Sequence, residues 1–90
     1  NVLGNKVFPN EVEEIINLFD GVVESKVYGQ KHALLGEIVT ADVQLATNSY
    51  FDPEQLIHHC RQLLSPFKIP QRINVVDYID MTHSGKVRRA

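Results

Sequence analysis

The sequence of 90 residues predicts one small α+β domain, in which two helices cover one face of a three-stranded, mainly antiparallel sheet in the order α-β-β-α-β. Two segments carry apolar residues at helical spacing, and each has a proline near its start. Three other segments are rich in β-branched residues that alternate with polar ones, which is typical of strands. A glycine-containing lysine loop follows the third strand.

The first helix is predicted over residues 10–19. Pro9 precedes it and suits the first turn, where the missing N–H of proline costs nothing. The apolar stripe consists of Val12, Ile15, Ile16 and Phe19. The acidic residues of the first turns are Glu11, Glu13 and Glu14. We interpret them as a solvated helix start, because the helix dipole favours negative charge there. Asp20 and Gly21 end the helix.

The first two strands are predicted over residues 22–28 and 37–45. The first is rich in β-branched residues and stops at a glycine, and the second alternates apolar and polar residues. Residues 29–36, which begin and end with glycine, are predicted to be the loop between them. We therefore expect an antiparallel pair with one buried face.

The second helix begins after Asp52, which is predicted to be its N-cap. Pro53 then occupies the first helical position, and Gln55 stands at the reciprocal capping position. The predicted buried stripe consists of Leu56, Ile57, Cys60, Leu63 and Leu64. Residues 65–66, Ser-Pro, end the helix.

The third strand is predicted over residues 72–79, after a rigid connector at 67–70 that ends in proline. The chain then closes with T-H-S-G-K-V-R-R at residues 82–89. Lys86 in this turn is a mobile point charge on a flexible stem, suited to stabilising a carboxylate or phosphoryl oxygen during group transfer. The alternative interpretation is a solvated tail lysine. The turn is not a phosphate-binding P-loop, because Asp80 stands where the first glycine is needed and Val87 follows the lysine.

Composition excludes several classes of function. The net charge of −2 argues against nucleic-acid binding, and no apolar run reaches the roughly 20 residues of a membrane span. One cysteine, Cys60, excludes an intrachain disulfide and fits a reducing compartment, so we expect a cytoplasmic protein. Cys60 lies on an apolar stripe and is expected to be a buried thiol rather than a nucleophile.

Metal binding is not expected. His58 and His59 are adjacent on a helix and point about 100° apart, and no His, Cys or Asp set has zinc spacing. The other histidines, His32 and His83, lie in glycine-containing loops and are expected to be turn residues.

Four motifs, in order, cover nearly the whole chain. They are G-N-K-V-F-P-N-E-V-E at 4–13, G-Q-K-H-A-L-L-G-E at 29–37, C-R-Q-L-L-S-P-F-K-I-P at 60–70 and T-H-S-G-K at 82–86. Together they resemble the C-terminal subdomain of the adenylate-forming enzymes: acyl-CoA synthetases, nonribosomal-peptide adenylation domains and luciferases. The chain is most similar to an acyl-CoA synthetase. Asp80 and Lys31 stand where this family often has proline, and neither replaces a reacting group.

The resemblance implies that residues 1–90 are the mobile C-terminal lid of a larger enzyme. That enzyme would convert a carboxylic acid and ATP to an acyl-adenylate, and then form a thioester with CoA. Lys86 would be the catalytic lysine of adenylation, in a nucleotide-proximal loop with Thr82, Ser84 and Gly85. Gly4 and Lys6, just after the interdomain hinge, would line the pantetheine tunnel on the thioester-forming face.

The resemblance also implies partners. ATP and Mg would be bound mainly by an N-terminal domain outside this chain, so the isolated domain should be inactive. The start at Asn1 without Met fits an excised piece of a longer protein. Two alternatives stay open: the lid of an adenylation domain that loads a carrier protein, and a free-standing binding module. A homodimer of the isolated chain, through the face that would meet the missing domain, is also open.

Overall fold

The computed structural model describes residues 6–80 and has the predicted order of elements. These are α1 (Pro9–Asn17), β1 (Val22–His32), β2 (Gly36–Leu45), α2 (Pro53–Leu63) and β3 (Arg72–Val76), with a 3₁₀ turn at Pro66–Lys68 between α2 and β3. The predicted α+β class is confirmed. Asp52 is the N-cap of α2 as predicted, since its side chain accepts a hydrogen bond from the Glu54 N–H at 3.0 Å.

The three strands form one mixed sheet with the order β1-β2-β3. β1 and β2 are antiparallel, with Tyr28 opposite Thr40, whereas β2 and β3 are parallel, with Ala41 opposite Ile73. The parallel pair follows from the connection, because α2 carries the chain from the end of β2 back to the start of β3. The sheet is therefore mainly antiparallel, as predicted, with one parallel edge strand.

The β1–β2 hairpin is longer than predicted. Residues 29–32 continue β1, and the register extends to His32 opposite Gly36, so only residues 33–35 form the turn. The predicted eight-residue loop is wrong because a strand partner runs alongside its first half, and the ladder hydrogen bonds outweigh the low strand preference of a glycine. Gly36, at the end of the predicted loop, has φ +83°, a backbone conformation that favours glycine.

Both helices cover the same face of the sheet and enclose the core. The core cluster consists of Val7, Val12, Ile16, Val27, Val39, Ala41, Val43, Leu56 and Cys60. His59 joins the helices, because its Nε2–H donates to the Ile15 carbonyl at 2.7 Å. The predicted stripe of α2 is wrong at Leu63, which is 52% exposed, because the helix ends there and the extended Leu64 packs on the core instead.

Two element boundaries also differ from the prediction. α1 spans Pro9–Asn17 rather than 10–19, and Phe19 packs on the core from the turn that follows, edge-on to Phe51. β3 ends at Val76 rather than at residue 79. The chain leaves β3 early because it turns onto the sheet face that the helices do not cover, where Ile79 is buried.

Candidate functional site

The segment before α1 contains Lys6, the described residue of the first predicted site. Lys6 is exposed and has φ +65°, a left-handed conformation that costs a non-glycine residue about 1–2 kcal/mol. Val7, its neighbour, is only 2% exposed and belongs to the core. The Phe8 carbonyl accepts the N–H groups of Glu11 at 3.0 Å and Val12 at 3.4 Å. The segment is thus fixed to both the core and the first turn of α1.

Substitutions at Lys6 should follow its backbone conformation. We expect Lys6→Val to lower the free energy of unfolding by about 1–2 kcal/mol, because a β-branched residue fits the left-handed region badly. Lys6→Gly should stay within about 0.5 kcal/mol of the native chain, since relief of strain offsets the added freedom of the unfolded chain. Urea denaturation measures both. The matched control is Lys31, exposed in β1, where glycine should be the worse substitution. If glycine were tolerated better than valine at both lysines, the left-handed conformation of Lys6 would be contradicted.

Glu13 was predicted to be solvated, and the structure shows the opposite. Its side chain is buried, and Oε2 accepts the Val27 N–H at 2.7 Å. β1 is an edge strand, and α1 lies along it. A carboxylate on α1 therefore takes up a backbone N–H of that edge. The helical spacing of the apolar residues in α1 could not predict this contact, because the contact depends on where α1 lies relative to β1.

Glu11 forms an ion pair across two of the four motifs. Its carboxylate lies 2.9 Å from Lys68 Nζ in the 3₁₀ turn. The first motif is thereby joined to the third. Because both side chains are partly exposed, the pair contributes at most about 1 kcal/mol to stability. Its effect is to fix the first turn of α1 relative to the connector before β3.

The other face of the sheet is polar and hydrogen-bonded. Asp42 Oδ1 accepts both the Tyr28 hydroxyl at 3.0 Å and the Asn74 amide at 3.1 Å. Partial burial raises the pKa of Tyr28 above its ordinary value, and the hydrogen bond and negative charge of Asp42 raise it further. The Gln30 side chain likewise accepts from Thr40 and Arg72. These contacts join all three strands, so this face is rigid.

Residues 77–80 lead toward the lysine turn across this polar face. The Ile79 N–H donates to the Gln44 side chain at 3.0 Å, and Ile79 is 4% exposed. Ile79 does not belong to the core cluster under the helices. Of the predicted site residues, Gly4, Thr82, Ser84, Gly85 and Lys86 lie outside the described residues.

The two predicted site segments therefore meet the described domain on opposite faces of the sheet. Val7, next to Lys6, packs in the core on the helix side. Ile79, at the approach to the lysine turn, packs on the polar side against Gln44, whose neighbours in β2, Val43 and Leu45, face the core. The fold thus places Val7 and Ile79 on opposite sides of the sheet.

The second motif is a tight turn with an internal acceptor. His32 Nδ1 accepts the N–H groups of Leu34 and Leu35, both at 3.1 Å. His32 was predicted to be a turn residue, but it is the last residue of β1, and its side chain holds the turn that follows. The arrangement requires a neutral imidazole with its proton on Nε2, since a protonated Nδ1 cannot accept.

Cys60 in the third motif is fully buried in the core. Burial raises the pKa of its thiol from 9.0 to about 11. The predicted structural role is consistent with this, because a thiol at neutral pH is a poor nucleophile.

The raised pKa of Cys60 predicts a loss of stability in alkali. The folded domain favours the neutral thiol, so this stabilisation is complete below pH 9 and disappears as the pH rises through about 11. Two pKa units correspond to roughly 2–3 kcal/mol. Urea denaturation of the native chain and of Cys60→Ala should give a stability difference that shrinks by about this amount between pH 8 and 11. A difference that stays constant over that range would contradict a buried neutral thiol.

Between Lys6 and Asp80, no group of three or more His, Cys, Asp or Glu residues is arranged to hold a metal ion. In the same part of the chain, no helix is long and apolar enough to cross a membrane.

Comparison with known proteins identifies the family. Residues 11–86 match the AMP-binding enzyme C-terminal domain, and the chain belongs to this family. It is 45% identical over 89 residues to a 3,4-dihydroxybenzoate–[aryl-carrier protein] ligase of Bacillus anthracis, covering 99% of this chain and 21% of that protein. It is 35% identical over 88 residues to a long-chain-fatty-acid–CoA ligase of Yersinia pestis, covering 98% of this chain and 16% of that protein.

Solved structures give the same assignment. The fold superposes on apo MatB from Rhodopseudomonas palustris with a TM-score of 0.83 and 39% identity, over 94% of this chain and 17% of that one. ATP-bound MatB from the same organism gives a TM-score of 0.82 and 38% identity, over 93% of this chain and 17% of that one. The chain spans about a fifth or less of the length of these relatives, so it corresponds to one domain of each.

Proposed function

We propose that this chain is the mobile C-terminal lid of an ATP-dependent acid–thiol ligase. The parent enzyme first joins a carboxylic acid to AMP, and pyrophosphate leaves. A thiol then attacks the acyl carbon, and AMP leaves. The observation that supports a lid with two working faces is the separation of the Lys6 segment from the approach to the lysine turn, on opposite sides of one rigid sheet.

Lys86 acts in the first half-reaction. A carboxylate oxygen attacks the α-phosphorus, and negative charge accumulates between two anions that repel each other. An ammonium group brought to these oxygens stabilises the charge without forming a bond of its own. When pyrophosphate has left, rotation of the lid withdraws the cation and presents the Lys6 face, with Gly4, to the same site.

The nucleotide and its Mg are assigned to the larger domain of the parent enzyme. Residues 6–80 carry no cluster of carboxylates or histidines arranged for a metal. The described fold is a three-stranded sheet with helices on one face, and its polar side chains bond to each other. The isolated chain is therefore proposed to be inactive.

The thiol acceptor is proposed to be CoA, as the names of several relatives indicate for those proteins. A carrier protein is the second candidate. The specific observation in its favour is the 45% identity to an aryl-carrier protein ligase, against 35% for the fatty-acid ligase over nearly the same length. The acyl substrate is set by the larger domain and is left open.

The test is ATP–pyrophosphate exchange by the natural full-length protein. The acids are acetate, palmitate, 2-succinylbenzoate and 3,4-dihydroxybenzoate, the classes named for its relatives. Exchange with at least one acid, and none by the 90-residue chain alone, is the expected result. Supplying CoA or a phosphopantetheinylated aryl-carrier protein then identifies the acceptor. A natural protein no longer than this chain, with no exchange, would favour the free-standing binding module.

A further inference from the structure

The carboxylate of Glu13 is the buried polar side chain of α1, and the proposed reaction does not yet use it. Its Oε2 accepts the Val27 N–H at 2.7 Å, and its side chain is 6% exposed. The bond joins the middle of α1 to the middle of β1, the edge strand. It fixes how far α1 can slide or turn along that edge.

The position of α1 determines the position of Lys6. The Phe8 carbonyl bonds to the N–H groups of Glu11 and Val12, so the Lys6–Phe8 segment continues the hydrogen bonding of the helix. Val7, which lies between Lys6 and Phe8 in the chain, is buried in the core. A shift of α1 along β1 would therefore be transmitted to Lys6 directly.

Other bonds hold the C-terminal half of α1: Asn17 accepts the Ser25 hydroxyl at 2.7 Å and donates to Glu24 at 3.0 Å, and the Ile15 carbonyl accepts from His59 at 2.7 Å. The half nearer Lys6 is held by Glu13 and by a second, weaker polar contact. The Glu11–Lys68 ion pair is partly exposed and screened by solvent. The approach to the lysine turn depends on neither anchor, because Ile79 is fixed by Gln44 on the other face. The contacts of the Lys6–Phe8 segment and of Ile79 are therefore separate.

We propose that Glu13 is a positioning residue for the thioester-forming half-reaction, acting through the Lys6–Phe8 segment. The inference rests on the proposed function. Removal of the acceptor should impair thiol attack and leave adenylate formation nearly intact, because a misplacement of about 1 Å can cost about 100-fold in rate.

The experiment uses full-length ligase and measures the two half-reactions separately. Pyrophosphate exchange is measured with the acid that the native enzyme activates best, and single-turnover thioester formation with CoA or aryl-carrier protein, whichever the native enzyme uses. Glu13→Leu should lower thioester formation by roughly 10- to 100-fold and exchange by less than about 3-fold. Glu13→Gln keeps an oxygen acceptor and should restore thioester formation to within about 3-fold of native.

Two controls and one replacement variant separate positioning from stability. Glu14→Gln changes an exposed carboxylate of the same helix and should leave both rates unchanged. Val43→Ala removes a buried core group of β2, so its melting temperature reports general destabilisation. If Glu13→Leu does not fold in the ligase, Glu13→Asp, which withdraws the acceptor by one methylene, takes its place and should lose about 10-fold in thioester formation.

Equal loss of both half-reactions in the Glu13 variants would overturn the proposal. So would a thioester defect of the same size in Val43→Ala, or no defect in Glu13→Leu. Failure of the native ligase to exchange pyrophosphate with any acid is a different outcome, which rejects the proposed function itself.

Discussion

Lys86→Ala in the full-length ligase should lower acyl-adenylate formation by about 10²–10³-fold, the usual cost of removing one charge-stabilising group. In the proposed mechanism, the lysine would provide a positive charge where the carboxylate and the α-phosphate approach each other. In Lys86→Ala, water would take the place of the ammonium group and would have to reorganise as the charge develops. A cation that is already in position need not reorganise. Lys86→Arg keeps the charge on a larger, planar group and should recover only part of the rate.

Pyrophosphate exchange measures this loss directly. Lys31→Ala is the matched control, because Lys31 is an exposed cation of β1 and should be replaceable without effect on exchange. Exchange by Lys86→Ala within about 3-fold of the native rate would remove the lysine from the mechanism and leave a solvated tail lysine.

The largest stability effect is expected for Leu56→Ala in α2, about 3–5 kcal/mol. Leu56 is fully buried in the core, so its truncation leaves a cavity under the sheet in addition to the lost transfer free energy. Leu63→Ala is the matched control on the same helix. Leu63 is 52% exposed, and its truncation should cost less than about 0.5 kcal/mol.

Urea denaturation of the 90-residue chain measures both changes. The sequence pattern put the two leucines on one buried stripe, so equal costs would restore that prediction. They would also contradict the observed exposure of Leu63 in the last turn of α2.

Local sequence signals were sufficient for most of the fold. Proline at the first turn and the spacing of Val12 and Ile16 located α1, and the Asp52 cap located α2. Alternation in β2 correctly assigned Val39, Ala41 and Val43 to the core. These features depend on short stretches of chain, where propensity and periodicity decide the outcome. The expectation of one buried face was wrong, because Ile38 and Thr40 on the other face are also buried.

Tertiary contacts decided what the sequence could not predict. The extension of β1 to His32 requires the partner strand beside it, and the burial of Glu13 requires α1 on the sheet edge. The approach over the polar face requires Gln44 to receive the Ile79 N–H. Periodicity contains no information about such pairings between distant residues. The candidate site was predictable only as motifs, and the placement of Val7 and Ile79 on opposite faces of the sheet emerged from the fold.

The central claim is that one small domain serves two reactions with two faces, and that the lysine belongs to only one of them. The decisive measurement is thioester formation by full-length Lys86→Ala from a synthetic acyl-adenylate, which bypasses the first half-reaction. We expect a rate within about 3-fold of the native enzyme, alongside the loss of about 10²–10³-fold in pyrophosphate exchange. A loss of the same size in both assays would contradict the account.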